Sequence, residues 1–327
     1  MTSFAAVAFL RRLFGIKKAG HCGTLDPLAD GVLPVFMGRA TAAIPYTDEY
    51  DKTYRVEFRV GRSTTTLDRE GETDQIKTPP AALLQEWLAE EARYLARGIS
   101  GLQGWQTQQP PLYSAVKIDG RPLYSYARSG STPPRLPKPR QIEVKQADFL
   151  AAWLDPEGDA AAPLVLSAEF KVSKGTYIRS LVYDLAQRWG FPAYTTRLTR
   201  TQAGPFTLAQ SLTPARLEAA AAGPSTAGLD DLLLPAEAAL KHIPVVKLTA
   251  EDTRKLLYGQ FVDLPPGCML YQEQQASDPQ LLALPRQARS RYRAVGPEGL
   301  SGIVYIRRLP DDREVLAAER MFVHLDD

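Results

Sequence analysis

Apolar positions along the chain switch between a period near 3.6 and a period of 2, the mark of mixed helices and strands. Phe4, Val7, Ala8, Leu10 and Phe14 fall on one helical face, with Ser3 as a cap before them and Gly15 as a stop after them, and predict a helix over 4–14. Residues 31–38 read as a buried strand and 40–46 as a short helix. From Lys52 to Gly61 the alternation is strict: Tyr54, Val56, Phe58 and Val60 share one face, Thr53, Arg55, Glu57 and Arg59 the other. That pattern predicts a half-buried antiparallel strand. A polar run over 63–74 reads as loop, 80–96 as helix, and 101–108 and 113–118 as short strands. A strand pair at 141–154 and 164–173 follows, then a helix ending near Arg188 and a strand at 193–200 that closes the sheet.

Beyond this the texture changes twice. Residues 209–242 are rich in Ala and Leu with Pro, Gly and Ser breaks, a helical flank on what precedes them. From 243 onward a strand at 245–248, a helix at 250–258 and alternating apolar strands over 290–327 predict a small β-rich module. Residues 268–290, rich in Gln, Ala and Ser, read as a flexible loop inserted in it. The expected class is α/β (α+β) with a mostly antiparallel mixed sheet flanked by helices. The domains are 1–242 and 243–327, in keeping with a length of 327 residues.

Composition alters this picture mainly by exclusion. The net charge is only +2, so the global balance does not identify a polyanionic partner. Cys22 and Cys268 are too far apart for a metal or redox motif, and His21, His242 and His324 lack ligand spacing. No metal, no cofactor and a reducing, cytoplasmic setting are expected. No stretch approaches the roughly 20 apolar residues of a membrane span. The first 25 residues are acid-free and carry Arg11, Arg12, Lys17 and Lys18, but with a Gly-rich turn beginning at Gly20 no removable leader is expected. Dinucleotide, Walker and Gly-x-Ser-x-Gly motifs are absent.

Local charge is more informative. Over 113–147 seven basic residues (Lys117, Arg121, Arg128, Arg135, Lys138, Arg140, Lys145) face Asp119 and Glu143, a balance of +5. Tyr113, Tyr124 and Tyr126 are interleaved, and five prolines oppose a long regular element. Basic charge with interleaved aromatics suits a loop that grips looped or single-stranded RNA, while a solvated surface loop has the same composition. Residues 171–200 carry six basic residues against Asp184 alone.

One stretch organises the rest: Gly20-His21-Cys22-Gly23-Thr24-Leu25-Asp26-Pro27-Leu28-Ala29. Its glycines and proline demand a tight turn. Asp26, boxed by Leu25 and Leu28, is either a turn or cap residue or a perturbed carboxylate with chemistry to perform. Gly-His-x-Gly-x-Leu-Asp-Pro-x-Ala-x-Gly, ending at Gly31, resembles the active-site loop of the TruB-type tRNA pseudouridine synthases. Cys22 and Asp30 stand where that family usually has Thr.

The resemblance implies a pseudouridine-synthase fold, with the 113–147 stretch as a thumb-like RNA-binding insertion and 243–327 as a PUA-like RNA-binding domain. It implies Asp26 as nucleophile or general base. Arg179, in Lys174-Gly175-Thr176-Tyr177-Ile178-Arg179, becomes the ion-pair partner of that carboxylate rather than a helix-surface arginine. Tyr54 becomes an active-site tyrosine that stacks on the target base rather than one more core residue. Tyr177 and Leu198 would line the uracil pocket, though Leu198 alone reads as core. His21 would fill the gap left when the target nucleotide flips out, the alternative being a satisfied turn histidine.

Family members have a strand and a Lys-Pro turn before the first helix. Here the chain begins Met1-Thr2-Ser3, so either the fold tolerates the loss or the start codon lies upstream. The activity implied is conversion of uridine to pseudouridine at position 55 in the T-loop of tRNA, by a monomer that binds the T-arm without guide RNA. Two rivals remain: a guide-RNA-dependent enzyme of ribosomal RNA, against which the thumb-like stretch argues, and a non-catalytic RNA-binding protein, against which Asp26, Tyr54 and Arg179 together argue.

Overall fold

Strict alternation puts Lys52–Val60 in the middle of a seven-stranded sheet. Val56, Phe58 and Val60 are fully buried, and Tyr54 packs on the same core. Each such side chain contributes about 1.5–3 kcal/mol by leaving water. A slip of one residue would exchange this face for Thr53, Arg55, Glu57 and Arg59, so the pattern sets the register. The computed structural model describes residues 1–47, 49–222, 227–264 and 291–322. Two units emerge: Met1–Ala6, Gly23–Pro34 and Asp48–Thr213 form the first, and Val7–Cys22, Val35–Thr47 and Pro214–Asp327 the second.

In the first unit the strand order is Phe206–Thr207, Ala193–Ala203, Lys52–Val60, Leu164–Val172, Arg140–Leu154, Gly104–Gln108, all antiparallel. Ala29–Gly31 joins Ala193–Ala203 in parallel. Two helices, Ala81–Ser100 and Ile178–Arg188, bury Leu84, Leu95, Ile99, Leu181, Val182 and Leu185 in the same core. The second of them ends because Gly190 adopts φ +84°, a left-handed conformation that costs glycine nothing. The amide of Gly190 then donates to the carbonyl of Gln187, and that of Phe191 to Ala186.

In the second unit five strands run in the order Val245–Lys247, Arg291–Gly296, Gly299–Arg308, Glu314–Met321, Val262–Asp263 around Val246, Leu256, Tyr292, Val304 and Leu316. Thr249 caps the Ala250–Leu257 helix, its Oγ1 accepting from the amide of Asp252 at 3.0 Å. Arg291 forms two bonds of 2.7 Å to Glu319 and lies 5.4 Å over the Tyr46 ring. Burial first, then the Glu319 charge, push the Tyr46 phenol up to about 12.

Several expectations are corrected. The strand expected over 31–38 is two short strands, Ala29–Gly31 and Val35–Met37, which pair in different sheets. Pro34 lacks an amide to continue the ladder between them. Thr2, not Ser3, caps the first helix, with its Oγ1 accepting from Ala5, and that leaves the Ser3 hydroxyl for another partner. The 63–74 loop contains a short hairpin, Arg62–Thr64 with Thr73–Ile76. Only Lys117–Ile118 forms a strand within 113–118. The helix expected over 80–96 runs to Ser100 with a break at Ala89–Ala92. The loop expected at 268–290 lies outside the described residues.

Candidate active site

Asp26 sits in the turn Gly23–Leu28, before the Ala29–Gly31 strand. Its carbonyl accepts from the amide of Ala29 at 2.9 Å, and the preceding amide, Leu25, donates to Ser3 Oγ at 2.9 Å. The turn is therefore closed by its own backbone and by the first residue of the N-terminal helix. The Asp26 side chain is 34% exposed, enough to be met by a ligand.

Arg179 approaches from the first turn of the Ile178–Arg188 helix. Its Nε donates to Asp26 Oδ2 at 2.8 Å, and its other nitrogens donate to the carbonyls of Thr66 (2.6 Å) and Tyr113 (2.9 Å). A second carboxylate, Asp68 Oδ2, lies 3.5 Å away. The guanidinium is only 3% exposed, so its charge is balanced inside the protein rather than by water. Asp68 is itself buried and accepts from Thr66 Oγ1 and from the amide of Glu70.

A pocket of about 90 Å³ opens beside the pair, lined by Thr24, Leu25, Asp26, Ala29, Tyr54, Thr176, Tyr177, Ile178 and Leu198. Tyr54 and Leu198 reach it from adjacent antiparallel strands. Tyr177 is held by its backbone: Gln108 donates to its carbonyl at 3.0 Å and accepts from its amide at 2.8 Å. Arg140 lies 5.8 Å from the centre of the Tyr177 ring. Burial pushes the Tyr54 phenol up, the positive charge of Arg200 opposes this, and the charge of Asp26 adds to it.

Five of the six residues singled out from sequence thus meet at one place: Asp26, Tyr54, Tyr177, Leu198 and Arg179. His21 closes the Ala19–His21 strand of the second unit, opposite Val35, and is not among the pocket residues. Ser3, Asp68, Gln108 and Arg200 were not legible as site residues. Asp68 stood in a polar run, Gln108 at the end of an edge strand, and neither carries a local motif. Arg200 was counted only as one of six basic residues, although a fully buried arginine is rare enough to mark a purpose.

The basic stretch has a definite local architecture. Asp119 and Gly120 turn a hairpin between Lys117–Ile118 and Arg121–Pro122, and Leu123–Arg128 is a short helix. Arg121 donates to Ser125 and Ser129 and covers Tyr126, while Arg135 pairs with Asp119 at 2.9 Å and Lys145 with Asp51 at 2.9 Å. Lys117, Arg128 and Lys138 are exposed. Among the described residues no group of His, Cys, Asp and Glu could hold a metal, and no helix is long and apolar enough to cross a membrane.

The family model described as TruB family pseudouridylate synthase (N terminal domain) matches residues 11–178. The tRNA pseudouridylate synthase B C-terminal domain model matches 179–241. A protein of Stutzerimonas stutzeri (strain A1501) named tRNA pseudouridine synthase B is 41% identical over 264 residues, 81% of this chain and 80% of its own. One of the same name from Geobacillus thermodenitrificans (strain NG80-2) is 36% identical over 295 residues, 89% of this chain and 90% of its own. Among solved structures, the archaeal box H/ACA sRNP Nop10-Cbf5 complex contains a chain with a TM-score of 0.64 at 18% identity. The match covers 100% of this chain and 84% of that one, a likeness of fold. Identity of this extent over four-fifths of the sequence, with both family models in register, places the chain in the TruB family of pseudouridylate synthases.

Proposed function

We propose that this enzyme isomerises uridine to pseudouridine at position 55 in the T-loop of tRNA, working as a cytoplasmic monomer without a guide RNA. The observation that carries the reading is the 2.8 Å Asp26–Arg179 pair at the edge of a small pocket with Tyr54, Tyr177 and Leu198 in its walls. Pseudouridine formation breaks the N1–C1′ bond of uridine and joins C5 to C1′, with the C5 hydrogen released as a proton. It consumes no water, which suits one carboxylate in a confined site. Asp26 is the nucleophile or general base. Arg179 orients it and supplies the counter-charge, its own geometry fixed by two carbonyls and Asp68. Tyr54 stacks on the extruded base, and Tyr177 and Leu198 complete the slot. A base in a folded loop is reached only by flipping it out, and His21 fills the vacancy. The thumb-like stretch 113–147 and the C-terminal β-rich domain hold the T-arm.

The test uses an unmodified tRNA transcript carrying tritium at C5 of uridine, with purified protein and no other RNA. Release of one tritium per tRNA, lost when the T-loop uridine is replaced by cytidine, is the expected result. Release from a transcript lacking that uridine, or release only on adding a guide RNA, overturns the assignment.

A further inference from the structure

Tyr54, Arg200 and Gly31 stand directly opposite one another on three neighbouring strands. Arg200 is 1% exposed, and among the described residues it makes no ion pair. A buried guanidinium without a carboxylate is costly, so its bonds must compensate. Its Nε donates to the carbonyl of Val32 at 2.7 Å and a terminal nitrogen to the carbonyl of Gly23 at 3.0 Å. Its positive charge faces the Tyr54 phenol on the next strand and favours the ionised form of that group. The main chain repeats the first attachment, with the amide of Val32 donating to the carbonyl of Arg200 at 2.9 Å.

Gly23 and Val32 bracket Asp26. One side chain therefore grips both ends of the segment 23–32 that carries the carboxylate, and its residue stands opposite Tyr54 on the next strand. The backbone is shaped to admit it. Gly31 adopts φ +102°, and a Cβ there would lie 2.3 Å from the Arg200 carbonyl oxygen. A Cβ on Gly23 would sit 3.3 Å from an Arg200 nitrogen.

We infer that Arg200 is a positioning residue for the isomerisation: it staples the Asp26 turn at Gly23 and Val32 and ties that turn to the strand that pairs with Tyr54. Arg179 sets the direction of the carboxylate, and Arg200 sets the frame in which the carboxylate and Tyr54 face the same base. This inference rests on the proposed reaction.

The test compares Arg200→Gln and Arg200→Lys with the parent enzyme by single-turnover rate on tRNA, by tRNA Kd, and by ¹⁹F titration of 3-fluorotyrosine placed at position 54. Arg200→Gln is expected to lose about 100-fold in rate, the scale of an ångström of misplacement, with Kd within about threefold. The fluorophenol pKa should move upward as the cation is lost. Arg200→Lys keeps the charge but offers a single nitrogen for two diverging acceptors. It is the variant to use if Arg200→Gln does not fold. It should lose about tenfold in rate while the fluorophenol titrates close to the parent. Full rate in a folded variant overturns the inference, as does a rate loss matched by Kd with an unmoved titration. A parent enzyme inactive on tRNA would instead refute the proposed reaction, so the two failures are distinguishable.

Discussion

Arg179 bonds Asp26 at 2.8 Å while its far side faces Asp68 at 3.5 Å, so one buried guanidinium separates two carboxylates of very different exposure. Asp68 is 6% exposed and Asp26 34%. The inner carboxylate balances charge inside the protein, and the outer one is left at the edge of the pocket. Two backbone carbonyls, of Thr66 and Tyr113, fix the guanidinium between them. The arrangement holds Asp26 in one direction with a third of its side chain open to the pocket.

Asp26→Asn keeps the shape of this residue and removes its negative charge and nucleophilicity. Tritium release from C5-labelled tRNA is expected to fall to background while affinity stays within about tenfold, or roughly 1.4 kcal/mol. Sustained release, with reversion to Asp excluded by mass spectrometry, moves the chemistry to another residue.

Asp68→Asn leaves the Arg179 charge balanced on one side only, and the guanidinium is free to shift by a fraction of an ångström. The expected outcome is a loss of about 10- to 100-fold in kcat with little change in tRNA affinity. Single-turnover kinetics and filter binding separate the two quantities. Equal loss in both would mean that Asp68 supports RNA binding or folding instead.

The basic stretch should not act as a uniform cloud of charge. Arg121 and Arg135 are held by hydrogen bonds within the loop, whereas Lys117 and Lys138 extend exposed amines and Arg128 only lies 5.4 Å over the Tyr124 ring. Replacing these last three with Gln is expected to lower the slope of log affinity against log salt by roughly 0.7–0.9 for each phosphate that is no longer neutralised. Arg135→Gln should change the slope less. The opposite ranking would assign the RNA-binding role to the internally bonded arginine.

Tyr46 gives a pH signature of the second unit. Its phenol titrates near 12 in the folded chain against 10.0 for an unperturbed tyrosine, so folding favours the protonated form. Stability from this group is complete below pH 10 and is lost as pH rises toward 12. The stability advantage of the parent over Tyr46→Phe should therefore shrink between those values, by about 2–3 kcal/mol for a shift of this size. Thermal melts of both proteins across this range make the comparison. A constant difference would show that the phenol is not sensed on unfolding.

The chain order of helices and strands was open to reading because it depends on local periodicity. A slip of one residue would turn Tyr54, Val56, Phe58 and Val60 away from the core together. The turn at Asp26 and the Arg179 motif were legible for a different reason: Gly, Pro and charged residues at fixed spacing impose a backbone path and a chemistry together. What the linear sequence could not reveal is which distant groups complete the site. Asp68, Gln108 and Arg200 act through bonds to residues far along the chain, and nothing next to them in sequence distinguishes them from surface polar residues. The single strand expected at 31–38 failed likewise, since pairing partners in two sheets decide where a strand stops. Local propensity determines the elements. Strand pairing across the sheet decides that Tyr54, Arg200 and Gly31 stand in one row, because a buried charge can be accommodated only where the folded chain brings its acceptors together.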